Sequence, residues 1–343
     1  MITDPEWLTL VLRTLRIDEA CWRRLVDGYI AECPDGNESL ASRIRVLGQI
    51  WRSIAPSEAV LDESFEYVRG CPVCKTDAVT VVAARQQEAA SPLVYGSCGV
   101  CGLGVLLQGG ANSSIYSQPD YYRRRKDAGY DNYLAEHRYR ESKGQRLVEW
   151  IQKRTGRPLR TFLEIGSGFG YTRAGAEHLG FKTAGVDLNP HAAKTALELY
   201  GQNTFTGTLA DAVESGAIMT GLHDIVCYQF LLEHLDDPAG ELLLAAGALS
   251  PNGVLALVVP NMQSLEREIF GASYRSFRRD HLWLFSVESL KLLLDQAGLR
   301  AVSIESECNI RLLAGFLSEA ELDQLDADCR SADLRIIAEK KYK

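Results

Sequence analysis

Thr161-Phe162-Leu163-Glu164-Ile165-Gly166-Ser167-Gly168-Phe169-Gly170 reads as a buried strand that ends in an acidic residue and runs into a glycine-rich turn opening a helix. Glycine has no Cβ and tolerates positive φ, so such a turn lets main chain approach a nucleotide-like ligand closely. Downstream, Gly185-Val186-Asp187-Leu188-Asn189-Pro190 reads as a second short strand ending in Asp187. A carboxylate about 20 residues past the glycines is placed to accept hydrogen bonds from ribose hydroxyls. Together the two motifs predict a site for an adenosine-containing cofactor in the second half of the chain.

The turn departs from the dinucleotide fingerprint. Gly166, Gly168 and Gly170 are followed by Tyr171 where the third dinucleotide glycine belongs, and a tyrosine crowds the close helix–strand approach that glycine permits. The phosphate loop G-x-x-x-x-G-K-[ST] is absent. Glu164 repels a pyrophosphate and suits a cationic ligand.

On these residues the chain resembles the class I S-adenosylmethionine-dependent methyltransferases. Leu163–Gly170 is similar to their first motif and Gly185–Asp187 to their second. His223–Pro238 is similar to their fourth strand and following loop, and Leu249–Asn261 to the fifth strand and its turn. His281–Leu290 and Gln296–Leu299 resemble the stretch that follows in one large subgroup. The resemblance covers roughly residues 116–343. It implies a seven-stranded doubly wound, Rossmann-like α/β sheet with S-adenosylmethionine as cofactor. By the same resemblance Glu164, Gly166, Ser167, Gly168 and Gly170 lie along the cofactor's amino-acid end. Asp187 accepts from both ribose hydroxyls, Leu188 packs on the adenine, and Leu209 edges the ring, with Asp211 a second candidate for its amino group. Gln229 contacts the cofactor after the fourth strand.

An oxygen or carbon acceptor usually needs a base, and histidine takes a proton near neutral pH at low cost. Glu233-His234 matches the family's Glu-His, which in sugar C-methyltransferases is linked to deprotonation. In many O-methyltransferases the same pair starts a helix or contacts substrate. His281 follows a long mixed loop, Asn261–Asp280, and is a further catalytic candidate or a loop anchor. Tyr121 and Tyr122 are read equally as closing over the cofactor or as packing.

Cys71-Pro72-Val73-Cys74 and Cys98-Gly99-Val100-Cys101 form two C-x-x-C knuckles separated by 23 residues (75–97). Four thiolates close a tetrahedral zinc site and leave no open position for a catalytic water, so the expected role is structural. This part resembles the small N-terminal zinc module of some bacterial sugar C-methyltransferases.

Three regions are expected: a helical segment over 1–65, the zinc-binding module over 66–115, and the cofactor-binding domain over 116–343. Thr3-Asp4-Pro5-Glu6 reads as a helix start. Stripes at Leu8/Val11/Leu12/Leu15, Trp22/Leu25/Val26/Tyr29 and Leu40/Ile44/Leu47/Trp51/Ile54 have helical spacing. They read as ordinary packing or, more sharply, as a homodimer surface or substrate lid. Cys33–Asn37 reads as a turn. Arg123–Lys126 is a solvated charge run or a grip on an anionic substrate.

The 343 residues carry a net charge of −8 and nine cysteines. The acidic balance argues against nucleic acid or an anionic membrane as partner. No apolar run approaches a membrane span. The N-terminus lacks the pattern of a signal peptide, and the cysteines do not form a disulfide framework, so a reducing cytoplasm is expected. A small-molecule acceptor, sugar-like or a specialised metabolite, is the leading substrate class, with C, O or N as acceptor atom. The competing readings are a nicotinamide-dependent oxidoreductase and methylation of a peptide or protein.

Overall fold

The structure, a computed structural model, describes residues 8, 11–12, 15, 18–33, 38–54, 70–87, 90–110, 113–123, 132–307 and 312–341, without the side chains of 85–87, 90–91, 113 and 312. The expected helix start Thr3–Glu6, residues 34–37 of the first turn and Arg124–Lys126 lie outside the described residues.

In chain order come helices α1 (Glu19–Glu32) and α2 (Leu40–Ile54), then strands β1 (Val79–Gln87), β2 (Ala90–Cys98) and β3 (Gly104–Gln108), then helix α3 (His137–Thr155). Alternation follows: β4 (Thr161–Ile165), α4 (Tyr171–His178), β5 (Lys182–Asp187), α5 (Pro190–Tyr200), β6 (Phe205–Thr206), α6 (Leu209–Glu214), β7 (His223–Gln229), α7 (Pro238–Ala248) and β8 (Leu249–Pro260). The chain closes with α8 (Leu265–Phe270), β9 (Trp283–Leu284), α9 (Val287–Gln296), β10 (Leu299–Glu307), α10 (Glu319–Ala327) and β11 (Asp333–Lys340). No helix among the described residues is long and apolar enough to cross a membrane.

The chain divides into two compact units that interleave in sequence. One takes residues 1–110, 260–286 and 305–334; the other takes 111–259, 287–304 and 335–343.

In the first unit, Asp18 caps α1 by accepting from the Cys21 N–H at 2.7 Å. The stripe residues Val11, Leu15, Trp22, Leu25, Tyr29, Leu47 and Trp51 are buried with Leu265, Ile269, Phe270, Phe316 and Leu322. Trp51 stacks edge-on against Phe270 at 5.0 Å and donates to its carbonyl at 3.1 Å. These apolar faces therefore lie inside the unit, as ordinary packing requires. The expected loop 261–280 contains helix α8: Ser264 accepts from the Arg267 N–H, and Leu265, Ile269 and Phe270 turn inward. The same unit holds a sheet of order β1-β2-β3-β9. Strand β2 escaped the sequence pattern because Pro92 and Gly96 interrupt it. Gly96 is needed there, since an added Cβ would sit 2.7 Å from Val79 and 2.9 Å from Leu107.

The seven-stranded sheet has the order β10-β11-β8-β7-β4-β5-β6, the doubly wound Rossmann-like architecture. Strands β8, β7, β4, β5 and β6 pair in parallel. From β4 the chain steps outward to β5 and β6, then returns to β7 on the other side. That reversal opens a crevice beyond the carboxyl ends of β4 and β7, where α/β sheets bind ligands. Phe162, Ile225, Cys227, Val254, Ala256 and Val258 pack under Leu147, Val148 and Ile151 of α3. Helices α3 and α4 touch at two glycines: a Cβ on Gly144 would sit 2.5 Å from Thr172 Cα, and one on Gly175 2.5 Å from the Gln145 nitrogen.

Candidate active site and candidate metal centre

The crevice is built first by the turn after β4. Gly166, Gly168 and Gly170 have φ of 69°, 53° and 80°, the left-handed region that a side chain adopts only with strain. The Gly166 and Ser167 amides donate to the Val186 carbonyl at 2.8 and 3.1 Å, tying the turn to β5. Asp187 completes the clamp. Its Oδ2 accepts from the Gly168 N–H at 2.7 Å and its Oδ1 from the Asn189 N–H at 2.8 Å. A carboxylate offers about four lone-pair sites, so beyond these amides and the Tyr122 hydroxyl, Asp187 keeps room to accept from a ligand. Burial pushes Asp187 up to about 6, against the pull of the Asn189 and Gly168 amides and the Tyr122 hydroxyl.

Glu164, the penultimate residue of β4, lies beneath this turn. It is buried, and desolvation raises its carboxyl to about 8, opposed by the Thr172 hydroxyl and the Arg173 guanidinium. Its Oε2 and the Ser167 Oγ are buried without a hydrogen-bond partner. Buried polar atoms left unsatisfied are costly and mark where a polar ligand group belongs. Thr172 Oγ1, at the start of α4, shares its one proton between Glu164 and Gln229 Oε1, the latter at 2.9 Å. One hydroxyl thereby links the ends of β4 and β7.

Residues of 116–122 and Tyr133 lie over the turn. Asn189 Nδ2 donates to the carbonyls of Tyr116 and Gln118 at 2.8 and 2.9 Å. Tyr122 packs on Phe169 at 4.7 Å and on Tyr133 at 5.0 Å, and both tyrosine hydroxyls approach Gly168. On the far side of the crevice, Phe230 has φ of 53°, strained for a bulky residue. Its amide donates to the Val258 carbonyl at 2.8 Å, and Lys143 Nζ sits 4.5 Å from its ring centroid. The 3-10 turn Leu232–His234 follows. Glu233 is fully buried. His234 is half-buried, with Nδ1 3.3 Å from the Tyr116 hydroxyl.

Of the residues expected from sequence, Glu164, Gly166, Ser167, Gly168, Gly170, Asp187 and Gln229 therefore surround one crevice, with Glu233 and His234 on the loop that follows β7. Leu188 is largely exposed beside Asp187, whereas the Leu209 side chain is buried. Asp211 closes a capping box with Thr208, accepting from its amide and hydroxyl at 2.9 and 2.7 Å, which gives it a local structural task. His281 belongs to the other unit. There its Nδ1 lies 2.9 Å from the Ser276 carbonyl. A carbonyl only accepts, so Nδ1 carries the proton and Nε2 is the basic nitrogen. Sequence reasoning gave no role to Tyr116, Asn189 or Phe230. The Asn189-Pro190 pair is a helix-start signature and was legible as a cap, since Asn189 Oδ1 accepts from the His191 and Ala192 amides. Its second task, holding Tyr116 and Gln118, left no sequence trace.

In the first unit the two knuckles repeat one geometry. Lys75 N–H donates to the Cys71 carbonyl and Gly102 N–H to the Cys98 carbonyl, both at 2.9 Å. Cys71 N–H donates to Thr76 and Cys98 N–H to Leu103. Lys75 and Gly102 both have positive φ, 61° and 70°. The hairpin β1–β2 opposes Val79 to Cys98 and so brings the knuckles together. All four sulfurs lie within 4.8 Å of one another, with Cys71–Cys101 and Cys74–Cys98 at 3.5 Å. A tetrahedron with Zn–S of about 2.3 Å has an edge of about 3.8 Å, so the set is suited to a four-thiolate ion. Burial alone would raise Cys98, but the Cys101 and Val100 amides and the Thr76 hydroxyl bring it down to about 6. Burial raises Cys101.

A doubly wound sheet whose first turn is glycine-rich and clamped by the carboxylate ending the next strand defines an adenosyl-cofactor-binding α/β enzyme. A family model described as a methyltransferase domain matches residues 116–304, more than half of the chain. The chain belongs to that family, and its class is the S-adenosylmethionine-dependent methyltransferases. A ubiquinone biosynthesis O-methyltransferase of Thiobacillus denitrificans is 28% identical over 131 residues, 37% of this chain and 56% of that protein. One of Burkholderia pseudomallei is 24% identical over 168 residues, 46% of this chain and 72% of that protein. The chain thus spans little more than half the length of the first of these relatives. A SAM-dependent methyltransferase structure from Archaeoglobus fulgidus is 25% identical, covering 61% of this chain and 99% of that one with a TM-score of 0.46. The nicotinamide alternative gives way to the family match.

Proposed function

We propose that this protein transfers a methyl group from S-adenosylmethionine to a small-molecule acceptor, sugar-like or a specialised metabolite. The observation that carries the reading is the pair of unpartnered buried atoms, Glu164 Oε2 and Ser167 Oγ, beside a left-handed glycine turn clamped by Asp187. Glu164 and the Gly166–Gly170 main chain would hold the cofactor's amino-acid end. Asp187 would accept from the ribose hydroxyls, with the Tyr122 hydroxyl giving way to one of them, and Leu188 would cover the adenine. Leu209, with its side chain buried, would contribute at most its main chain, and Gln229 would line the crevice through its link to Thr172.

When bound, the sulfonium supplies an electrophilic methyl group, so the chain's task is placement and proton handling. His234 is the proposed base. In the tautomer whose Nδ1–H donates to the Tyr116 oxygen, Nε2 is the nitrogen that takes the acceptor's proton as the carbon–sulfur bond breaks and the acceptor–carbon bond forms. This favours an oxygen or carbon acid as acceptor, since a neutral amine attacks without prior deprotonation. The names of the relatives, O-methyltransferases of ubiquinone biosynthesis, support oxygen. Glu233 supports His234 on the same turn. His281 enters on the sequence resemblance alone, as a second candidate proton acceptor. A structural zinc ion on Cys71, Cys74, Cys98 and Cys101 and a cytoplasmic setting complete the proposal, and the regions 1–65, 66–115 and 116–343 are its functional divisions.

The test is a methyl-transfer assay across small hydroxylated acceptors with His234→Gln. A drop in kcat of roughly 10²–10⁴-fold, with S-adenosylmethionine affinity retained, is expected of a general base. Unchanged kcat with an oxygen acceptor would remove His234 from the chemistry.

A further inference from the structure

The four-cysteine site is continuous with the segment that carries His281. Strand β3 continues from the second knuckle and pairs with β9, opposing Gly104 to Leu284 and Val105 to Trp283. The Leu106 amide donates to the Leu282 carbonyl at 3.0 Å. Ser286 Oγ, fully buried, donates to the carbonyl of Cys101 itself at 2.5 Å. Next to Cys101, a Cβ on Gly102 would sit 3.2 Å from Ser286 Cβ. Gly104 is equally close-fitting, with no room for a Cβ against Met262 and Leu284.

Strand β2, which ends in Cys98, holds the other end of the segment. The Tyr95 hydroxyl lies 2.7 Å from the Arg278 carbonyl and 2.6 Å from the His281 carbonyl, sharing its one proton between them. The Tyr95 ring lies 4.6 Å from that of Phe277. Arg279 donates to the Gly109 carbonyl at 2.6 Å. Leu93, Tyr95, Leu106, Tyr274, Phe277 and Leu284 share one small core.

We propose that the metal ribbon is the scaffold of the His281 segment: an ion on the four cysteines fixes β2 and β3, and these fix residues 274–286. The inference rests on the metal reading above and goes beyond it. Strands β1, β2 and β3, of 5–9 residues, have little core of their own, so a structural ion supplies much of their rigidity. The contacts to Arg278, His281, Leu282 and Ser286 are then inherited from metal occupancy. The zinc would act on this segment through the Tyr95 hydroxyl, the β3–β9 pairing and the Ser286–Cys101 hydrogen bond, without touching substrate.

Hydrogen–deuterium exchange on the full chain, with metal content measured in parallel, decides it. One zinc per chain is expected. Stripping it with a chelator should speed exchange across 274–286 roughly tenfold or more, together with 71–104, while peptides over 161–187 keep their protection. Faster exchange confined to 71–104 would overturn the inference and leave the metal reading intact. Acceleration everywhere would also overturn it, as general unfolding. A folded chain that takes up no metal would sink both. Tyr95→Phe gives an arm that does not depend on metal removal: zinc should stay at one per chain while exchange over 276–286 rises. Unchanged exchange in Tyr95→Phe would show that the hydroxyl does not hold the segment.

Discussion

At the scale of single residues, two buried carboxylates carry the cofactor reading and give it a pH signature. Glu164 and Asp187 ordinarily titrate near 4.5 and 3.8 but are pushed up to about 8 and about 6 in the fold. The folded protein therefore holds these protons more tightly than the unfolded chain. Their contribution to stability is fully present below pH 4 and is lost as pH rises toward 6 for Asp187 and 8 for Glu164. Thermal unfolding of the ligand-free protein should show a melting temperature that falls between pH 5 and 8, and Glu164→Gln should flatten that fall; an equally steep fall in Glu164→Gln would assign the effect elsewhere. A cationic ligand prefers ionised Glu164, so cofactor affinity should rise with pH up to about 8 in the wild type and less in Glu164→Gln, measured by titration. Tyr116→Phe should lower kcat by removing the partner of His234 Nδ1, with cofactor affinity kept. Glu164, the glycines and Asp187 were legible because strand-end acids and left-handed turns impose residue types at fixed spacing. Tyr116 and Phe230 were not. The first acts through a fold-dependent meeting with His234, and the second through a backbone angle that its side chain does not announce.

At the scale of elements, alternation of buried strands and amphipathic helices made the large sheet readable, and capping residues set helix starts: Asn189 for α5 and Asp237, which accepts from the Gly240 N–H, for α7. The small sheet was only half readable. β1 and β3 carry β-branched and aliphatic runs, whereas β2 is broken by Pro92 and Gly96, and the two-residue β9 exists only through pairing with β3. Helix α8 was hidden in a segment read as loop, because its six residues are too few to show a period. The close packing of α3 on α4 also went unread. Gly144 and Gly175 look like helix-weakening residues in sequence, yet they allow contact at backbone distance. Gly175→Ala, which forces a Cβ against the Gln145 backbone, should destabilise the cofactor-binding unit by about 1–3 kcal/mol, seen as a lower denaturant midpoint. A neutral result would mean the helices separate freely.

At the scale of the molecule, two units interleave: the chain enters the doubly wound sheet, leaves it after β8 to add residues 260–286 to the metal-ribbon unit, and returns. Linear segments read from composition do not coincide with these compact units, because the order of residues along the chain does not record which excursions fold back. The central claim is that the crevice beyond β4 and β7 binds an adenosyl-sulfur cofactor with Asp187 as its ribose acceptor. Calorimetric titration of S-adenosylhomocysteine into wild type and Asp187→Asn tests it most directly. Saturable one-to-one binding by the wild type, weakened roughly 10–100-fold in the variant, is the predicted result; no binding by the wild type, or equal affinity in both, would contradict the account.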